Sequence, residues 1–301
     1  MISHPFGAFN LLKSEYGLRR PEIAPPKVSI PLRMVGSLPI AFVNVMTAKL
    51  SNGIYGTKIV HVDEATKKMS GRTLVFSAEG AVLKDLDSEA VTTNRCGLMA
   101  TFAVEKFYGR GRSYKNLRVG FIGAGRINKL VLEYLHTILD IKDFVVKAHP
   151  SRPEKAFDFH ELAKPVDHIS DLSDCDVVIT CTTSSEIEDT LDIESFYTDS
   201  GIGPDLFISM DGGWLLDESF RAKALSFSDD SAQLALASHE FIWDEAKPKI
   251  DRDLNHMFFT KEYSDATSKP AVAYLYGIAT ADVVTAIYMG DEVDDTVGTE
   301  T

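Results

Sequence analysis

At residue 117 an apolar run, Leu117-Arg118-Val119-Gly120-Phe121-Ile122, meets Gly123-Ala124-Gly125 with no spacer, and a helical apolar period follows from about Arg126 to Leu139. No other feature narrows the possible folds as much. A short run without polar alternation suits a strand buried on both faces of a parallel sheet. Gly123 permits a tight turn, and Gly125 lets the backbone approach a pyrophosphate whose charge then sits at a helix N-terminus. Further strand-like stretches at 144–148, 176–181, 206–210 and 224–228 alternate with helical ones, as a parallel α/β sheet requires. The motif therefore predicts a dinucleotide loop at Gly123, Ala124, Gly125, Arg126 and Ile127. Asn128 replaces the third glycine of the fingerprint, which predicts slightly looser packing of helix on strand. Taken alone, GxG is also compatible with a plain glycine-rich turn.

The tip of the next strand bears on the choice of dinucleotide. An NAD site places Asp or Glu there, against the ribose 2′-hydroxyl. Here the strand ends in His149-Pro150-Ser151-Arg152, with no acid. Ser151 and Arg152 suit a 2′-phosphate, because an arginine fork matches phosphate geometry. NADP is the expected cofactor and NAD the alternative; Arg152 as a solvated loop charge is the competing reading. After the stretch at 176–181, Cys181-Thr182-Thr183-Ser184-Ser185 places hydroxyls at a strand's carboxyl end, where ligands of open α/β sheets bind. Thr182 and Thr183 are candidate cofactor contacts, or members of an ordinary Ser/Thr turn.

Composition excludes several classes. A formal net charge of −13 and no basic stripe argue against a nucleic-acid binder. Cys96, Cys175 and Cys181 form neither a CxxC nor an even framework, so the chain reads as reduced, cytoplasmic and without a thiol-held metal. The histidines show no metal spacing. No apolar run reaches the ~18 residues of a membrane span, and the start lacks a secretory pattern.

Outside the alternating unit, residues 1–33 are proline-rich and read as irregular. Residues 40–76 read as β-rich. Asp87 and Ser88 are N-cap candidates for a helix that runs to Phe107, and Gly109-Arg110-Gly111 closes it. Residues 270–289 are helix-compatible, and 290–301 are acidic and frayed. There is no internal repeat.

Three charged residues stand where apolar or structural residues are expected. Arg95 shares a helical stripe with Val91, Leu98 and Phe102, where a guanidinium is costly to bury unless paired. It could await a substrate carboxylate, join an internal ion pair, or reach water past a packed stem. Lys58 alternates with Ile54, Val60 and Val62 on an apolar strand face, which suits proton transfer; a lysine protecting a sheet edge is the alternative. Asp211 follows the stretch 206–210 and precedes Gly212-Gly213, so it is either a catalytic carboxylate at a strand's carboxyl end or a helix cap. No Tyr-x-x-x-Lys occurs.

These charged positions, in this order, resemble the ornithine cyclodeaminase / mu-crystallin family. The matching stretches are Pro31-Leu32-Arg33, Gly56-Thr57-Lys58-Ile59-Val60, Thr93-Asn94-Arg95-Cys96-Gly97-Leu98-Met99-Ala100, the loop at Gly123, and Ser209-Met210-Asp211-Gly212-Gly213. The likeness runs from about Pro25 to Met289. It implies an α/β protein in which a Rossmann dinucleotide-binding domain, 116–269, is inserted in an α+β substrate-binding and dimerisation domain, 1–115 plus 270–301. It implies an NAD(P)-dependent oxidoreductase acting at the C–N bond of an amino or imino acid, with hydride exchanged at the α-carbon, and a homodimer. Imine reduction, oxidative deamination and cyclodeamination stay open. By the same resemblance Arg33 and Arg95 clamp the carboxylate, Lys58 binds it or exchanges a proton, and Asp211 handles water or the amine. Gly125-Arg126-Ile127-Asn128-Lys129 looks most like the branch of diaminopropionate-forming siderophore enzymes. The family usually has a strand and a helix before the proline-rich segment, so the resemblance implies that part of the substrate domain is either missing here or supplied differently. His61-Val62-Asp63-Glu64 also departs from its glycine- and proline-rich stretch. The competing functions are a non-catalytic, crystallin-like NADP binder and an unrelated Rossmann dehydrogenase.

Overall fold

The computed structural model describes residues 2–18, 23–36, 38–63, 66, 68–109, 114–149, 152–181, 203–210, 220, 224–231, 252–254 and 270–290. Its contacts divide the chain into two compact units, Met1–Asn94 with Ala279–Thr301, and Arg95–Ile278.

The first unit is an antiparallel meander of β1 (Val28–Val35), β2 (Leu38–Lys49), β3 (Tyr55–Asp63), β4 (Lys68–Phe76) and β5 (Val82–Asp87), in that spatial order. The alternation expected around Lys58 is present: Gly56, Lys58 and Val60 are buried while Ile59 is exposed. Helix α1 (Pro5–Leu18) buries Ala8, Phe9, Leu12 and Tyr16 and packs on the C-terminal helix, here α4 (Ala279–Tyr288), which also lies against β2 to β5. The expectation of an irregular segment over 1–33 is thus corrected. Pro5 occupies the first helical turn, where its missing N–H costs nothing, and the remaining prolines follow the helix. A helix therefore does precede the proline-rich stretch. Glu15, almost fully buried, accepts hydrogen bonds from the Ser51 backbone N–H at 2.9 Å and from its hydroxyl, which ties α1 to the turn after β2.

Helix α2 (Ser88–Tyr108) begins as expected, with the Asp87 carboxylate accepting from the N–H groups of Glu89 at 2.8 Å and Ala90 at 3.0 Å. It differs from the expected stripe in being buried on every side from Ala90 to Val104. Gly109 closes it with φ +78.

The second unit holds an eight-stranded parallel sheet: β6 (Arg118–Ile122), β7 (Asp143–Lys147), β8 (Ala163–Pro165), β9 (Val177–Thr180), β10 (Leu206–Ser209), β11 (Leu225–Ser228), β12 (Arg252–Asp253) and β13 (Ala271–Tyr274). Their spatial order is β12-β11-β13-β10-β9-β6-β7-β8. Reading from β6, this is the doubly wound order 3-2-1-4-5, and its reversal between β6 and β9 is where such sheets open a ligand crevice. The stretch 270–289 is not one helix. Its first residues form β13, inserted between β10 and β11, and only Ala279–Tyr288 is helical. A short, fully buried strand has no period that separates it from a buried helix. Within the unit, burial and neighbouring carboxylates push the Cys175 thiol up to about 12, so it is an inert core thiol. Among the described residues no helix is long and apolar enough to cross a membrane.

Candidate functional site

The loop between β6 and α3 (Arg126–Leu139) has the geometry a phosphate needs. Gly123 takes φ +99, and a Cβ there would lie 2.8 Å from the Cys181 carbonyl oxygen at the end of β9, so only glycine fits. Its N–H donates to the Lys147 carbonyl at 2.9 Å, pinning the turn to β7. Gly125 is the N-cap of α3 without a side-chain cap, and among the described residues nothing lies within 4 Å of where its Cβ would stand. The first intrahelical bond runs from Lys129 N–H to Gly125 C=O, which leaves the first-turn N–H groups without helical partners. Uncapped N–H groups, a helix dipole and open space over a glycine together fit a dinucleotide pyrophosphate.

Asn128 corrects the expectation of looser packing. Its side chain is fully buried and donates from Nδ2 to the carbonyls of Ile122 at 3.0 Å and Gly123 at 2.8 Å. The larger residue thus ties helix to strand, where a third glycine would only have allowed close approach. Oδ1 is buried and has no hydrogen-bond partner among the described residues.

Beyond the loop, β7 ends at Lys147, and Arg152 lies exposed at the start of a short 3-10 turn, Pro153–Ala156. Ser151, Thr182 and Thr183 lie outside the described residues, as does Asp211.

Lys58 sits in the middle strand of the antiparallel sheet, which removes the edge-protecting alternative. Its Nζ is 2.7 Å from Asp282 Oδ1 on α4 and 2.9 Å from Thr92 Oγ1 on α2. The Thr92 hydroxyl donates in turn to the Ser88 carbonyl at 2.7 Å, so an oxygen lone pair faces the ammonium. Both charged side chains are at most 2 % exposed, and a buried pair of this kind persists only with good geometry and further hydrogen bonds. Sequence reasoning missed Asp282. A lone carboxylate within Ala279-Thr280-Ala281-Asp282-Val283-Val284 is the signal that could have found it.

Arg95 is also buried, in the second unit. Its guanidinium lies against Gly277: a Cβ there would come within 2.3 to 2.5 Å of Nη1, Cζ and Nη2. Gly277 has φ +91, so the backbone turn and the flat contact both demand glycine. The buried Asp229 carboxylate, just after β11, accepts from the N–H groups of Tyr276 at 3.1 Å and Gly277 at 2.6 Å and so holds this floor in place. Asp229 and Gly277 were also missed; neither stands near Arg95 in sequence.

Arg33 is placed differently. It projects from the edge strand β1, half exposed, and pairs with Asp63 at 2.9 Å. Asp63 is five residues beyond Lys58 on β3, about 17 Å along the strand and on the opposite face. The first unit therefore brings Lys58 to Asp282 and Thr92, but not to Arg33. No cluster of metal-ligating side chains occurs among the described residues.

No family model matches the sequence, and no curated protein does. Solved structures match along nearly its whole length. An archaeal alanine dehydrogenase dimer with bound NAD superposes with TM-score 0.71 at 21% identity, over 95% of this chain and 91% of that one. The Δ1-pyrroline-2-carboxylate reductase of Thermococcus litoralis, in complex with NADH and L-proline, gives 0.68 at 18%, over 95% and 92%. A probable ornithine cyclodeaminase from Bordetella pertussis gives 0.70 at 15%, over 95% and 92%. The chain has the fold of these proteins: a Rossmann-type α/β sheet together with an antiparallel sheet.

Proposed function

We propose that this chain is an NAD(P)-dependent oxidoreductase of the ornithine cyclodeaminase / mu-crystallin type, acting at the C–N bond of an amino or imino acid. The observation that carries the reading is the coincidence of a phosphate-shaped loop at Gly123 to Ile127 with two buried cations, Lys58 and Arg95, on a fold whose solved examples include NAD- and NADH-bound amino acid enzymes. A dinucleotide held by the loop at Gly123 to Ile127 would supply hydride exchange at the substrate α-carbon. Arg95 holds the substrate carboxylate, its guanidinium oriented by the floor of Gly277 and Asp229. Lys58 binds the carboxylate or exchanges a proton at the reacting carbon or nitrogen, with Asp282 keeping the ammonium in place. Arg33 as a second carboxylate contact, Asp211 as the group handling water or amine, and Ser151, Arg152, Thr182 and Thr183 as cofactor contacts belong to the same proposal. So do the domain roles, substrate and dimerisation for the unit with the antiparallel sheet and the dinucleotide for the unit with the parallel sheet, to which β13 belongs although the sequence alone puts 270–301 with the former.

NADP is favoured over NAD because no carboxylate stands at the tip of β7. A homodimer is part of the reading. It draws support from β1, an edge strand exposing Val28, Ile30, Leu32, Met34 and Val35, the kind of surface that proteins otherwise protect. The site proposed is cytoplasmic, on the absence of any cysteine framework.

The test is turnover at the reduced-nicotinamide absorbance band, across cyclic imines, keto acids with amines, and amino acids, with each dinucleotide. Activity with at least one member, lost in Arg95→Lys, is expected. Tight NADPH binding with no turnover on any member would instead favour the crystallin-like binder.

A further inference from the structure

We propose that Asn128 is a positioning residue for the bound dinucleotide, its buried carboxamide clamping two carbonyls of the loop and thereby turning the Ala124 N–H towards the phosphates. The inference rests on the reading of this loop as a dinucleotide site and adds to it a residue outside the glycine fingerprint.

Two carbonyl oxygens, of Ile122 and Gly123, converge on one end of the Asn128 side chain at 3.0 and 2.8 Å. That end must be Nδ2, because an acceptor there would face two acceptors. Ile122 is the last residue of β6, Gly123 begins the turn, and Asn128 stands in the first turn of α3. One side chain thus staples strand end, turn and helix start. In a trans peptide the C=O and the following N–H point in opposite directions. With the Gly123 C=O held towards α3, the Ala124 N–H is aimed away from the helix. The Gly123 N–H is already committed to Lys147, so it cannot serve a ligand. The neighbouring Gly125 carries no side chain to obstruct a ligand, and no described residue stands within 4 Å of its Cβ position. Gly123 at φ +99 is held in one of the several conformations a glycine can take. The clamp supplies order that the glycines themselves lack, so less freedom is lost when the phosphates arrive.

The fingerprint and the clamp make opposite predictions for Asn128→Gly. A third glycine should leave binding equal or tighter; loss of the clamp should weaken it. The full chain is titrated with NADPH and with NADH by nicotinamide fluorescence, and with ADP and adenosine by competition. We expect Asn128→Gly to weaken NADPH and NADH by about tenfold each, since both share the pyrophosphate, leaving their ratio unchanged. ADP should weaken in step and adenosine should not change, a split that a general loss of structure would not produce. Asn128→Asp, which has no donor for the carbonyls and adds charge beside the phosphates, should weaken binding further. If Asn128→Gly does not fold, Asn128→Ser, whose hydroxyl reaches at most one carbonyl, should show an intermediate loss. Equal or tighter binding by the glycine variant, or by the serine variant in its place, overturns the role of Asn128 alone. Failure of the parent protein to bind either dinucleotide overturns the loop reading and Asn128 with it.

Discussion

Lys58 and Gly123 anchor the two units, and they reach their geometry by opposite means. Around Gly123 the chemistry is made of backbone: a left-handed turn, uncapped helical N–H groups, and a carboxamide that holds carbonyls in place. The turn, the helix start and the Asn128 clamp lie within a few residues of one another, and the Lys147 and Cys181 carbonyls reach them from the ends of the neighbouring strands. Around Lys58 the chemistry is made of side chains from three elements, with Asp282 arriving from 224 positions away. Arg95 belongs with Lys58 in this respect, since its floor at Gly277 is also remote. A backbone site depends on glycine geometry and on the one carboxamide that holds it. A buried side-chain site depends on each partner, because removing one leaves an uncompensated charge in a medium that solvates it poorly.

The largest effect should come from Lys58→Ala. Stranding Asp282 should cost about 3–5 kcal/mol of stability, read by denaturant unfolding, and turnover should fall roughly 10²- to 10⁴-fold if Lys58 moves a proton. NADPH binding should persist in the folded fraction; unchanged turnover would remove Lys58 from the chemistry and reduce the contrast to one of stability. Gly277→Ala comes next. It forces a side chain into the left-handed region and into the guanidinium, costing about 1–3 kcal/mol, and it should raise the KM of a carboxylate substrate more than it lowers kcat. An unaltered KM would show that Arg95 is not held by this floor. A smaller effect concerns pH. The unfolded Cys175 thiol ionises near 9.0, whereas the folded one holds its proton to about 12. Stability at its full value below pH 9 should therefore decline as pH rises through that window, and Cys175→Ser should flatten the decline. Iodoacetamide at pH 8 should label Cys175 only in denaturant. Arg33→Ala should have the least effect on stability, about 0.2–1 kcal/mol, because the pair with Asp63 is solvated. A large KM rise in this variant would show that Arg33 joins the carboxylate site when substrate binds.

The same contrast explains what could be read in advance. The strand–loop–helix unit at Ile122, Gly123 and Arg126 was legible because its signals are consecutive, and α3 spans the expected residues. Lys58 was legible as a misplaced charge because burial follows the strand period, and Arg95 as a charge within an apolar helix, although α2 is buried on every side and not along one stripe. The identity of their partners was not. Strand β13 escaped because four buried residues carry no diagnostic period, and α1 escaped because prolines around it were read as breakers when one begins the helix and the others follow it.

By itself the sequence determined the parallel α/β unit, the glycine turn between its first strand and helix, and the presence of two cations among apolar residues, all of which follow from residue types at short, regular spacing. The tertiary structure alone decided that Lys58 lies in a central strand beside Asp282 and Thr92, that Arg95 rests on Gly277 held by Asp229, that Arg33 faces away with Asp63, and that Asn128 grips the loop it was expected to loosen. The physical reason is that spacing along a chain reports which way a side chain points, whereas the partner that compensates a buried charge or carbonyl is set by how distant elements pack.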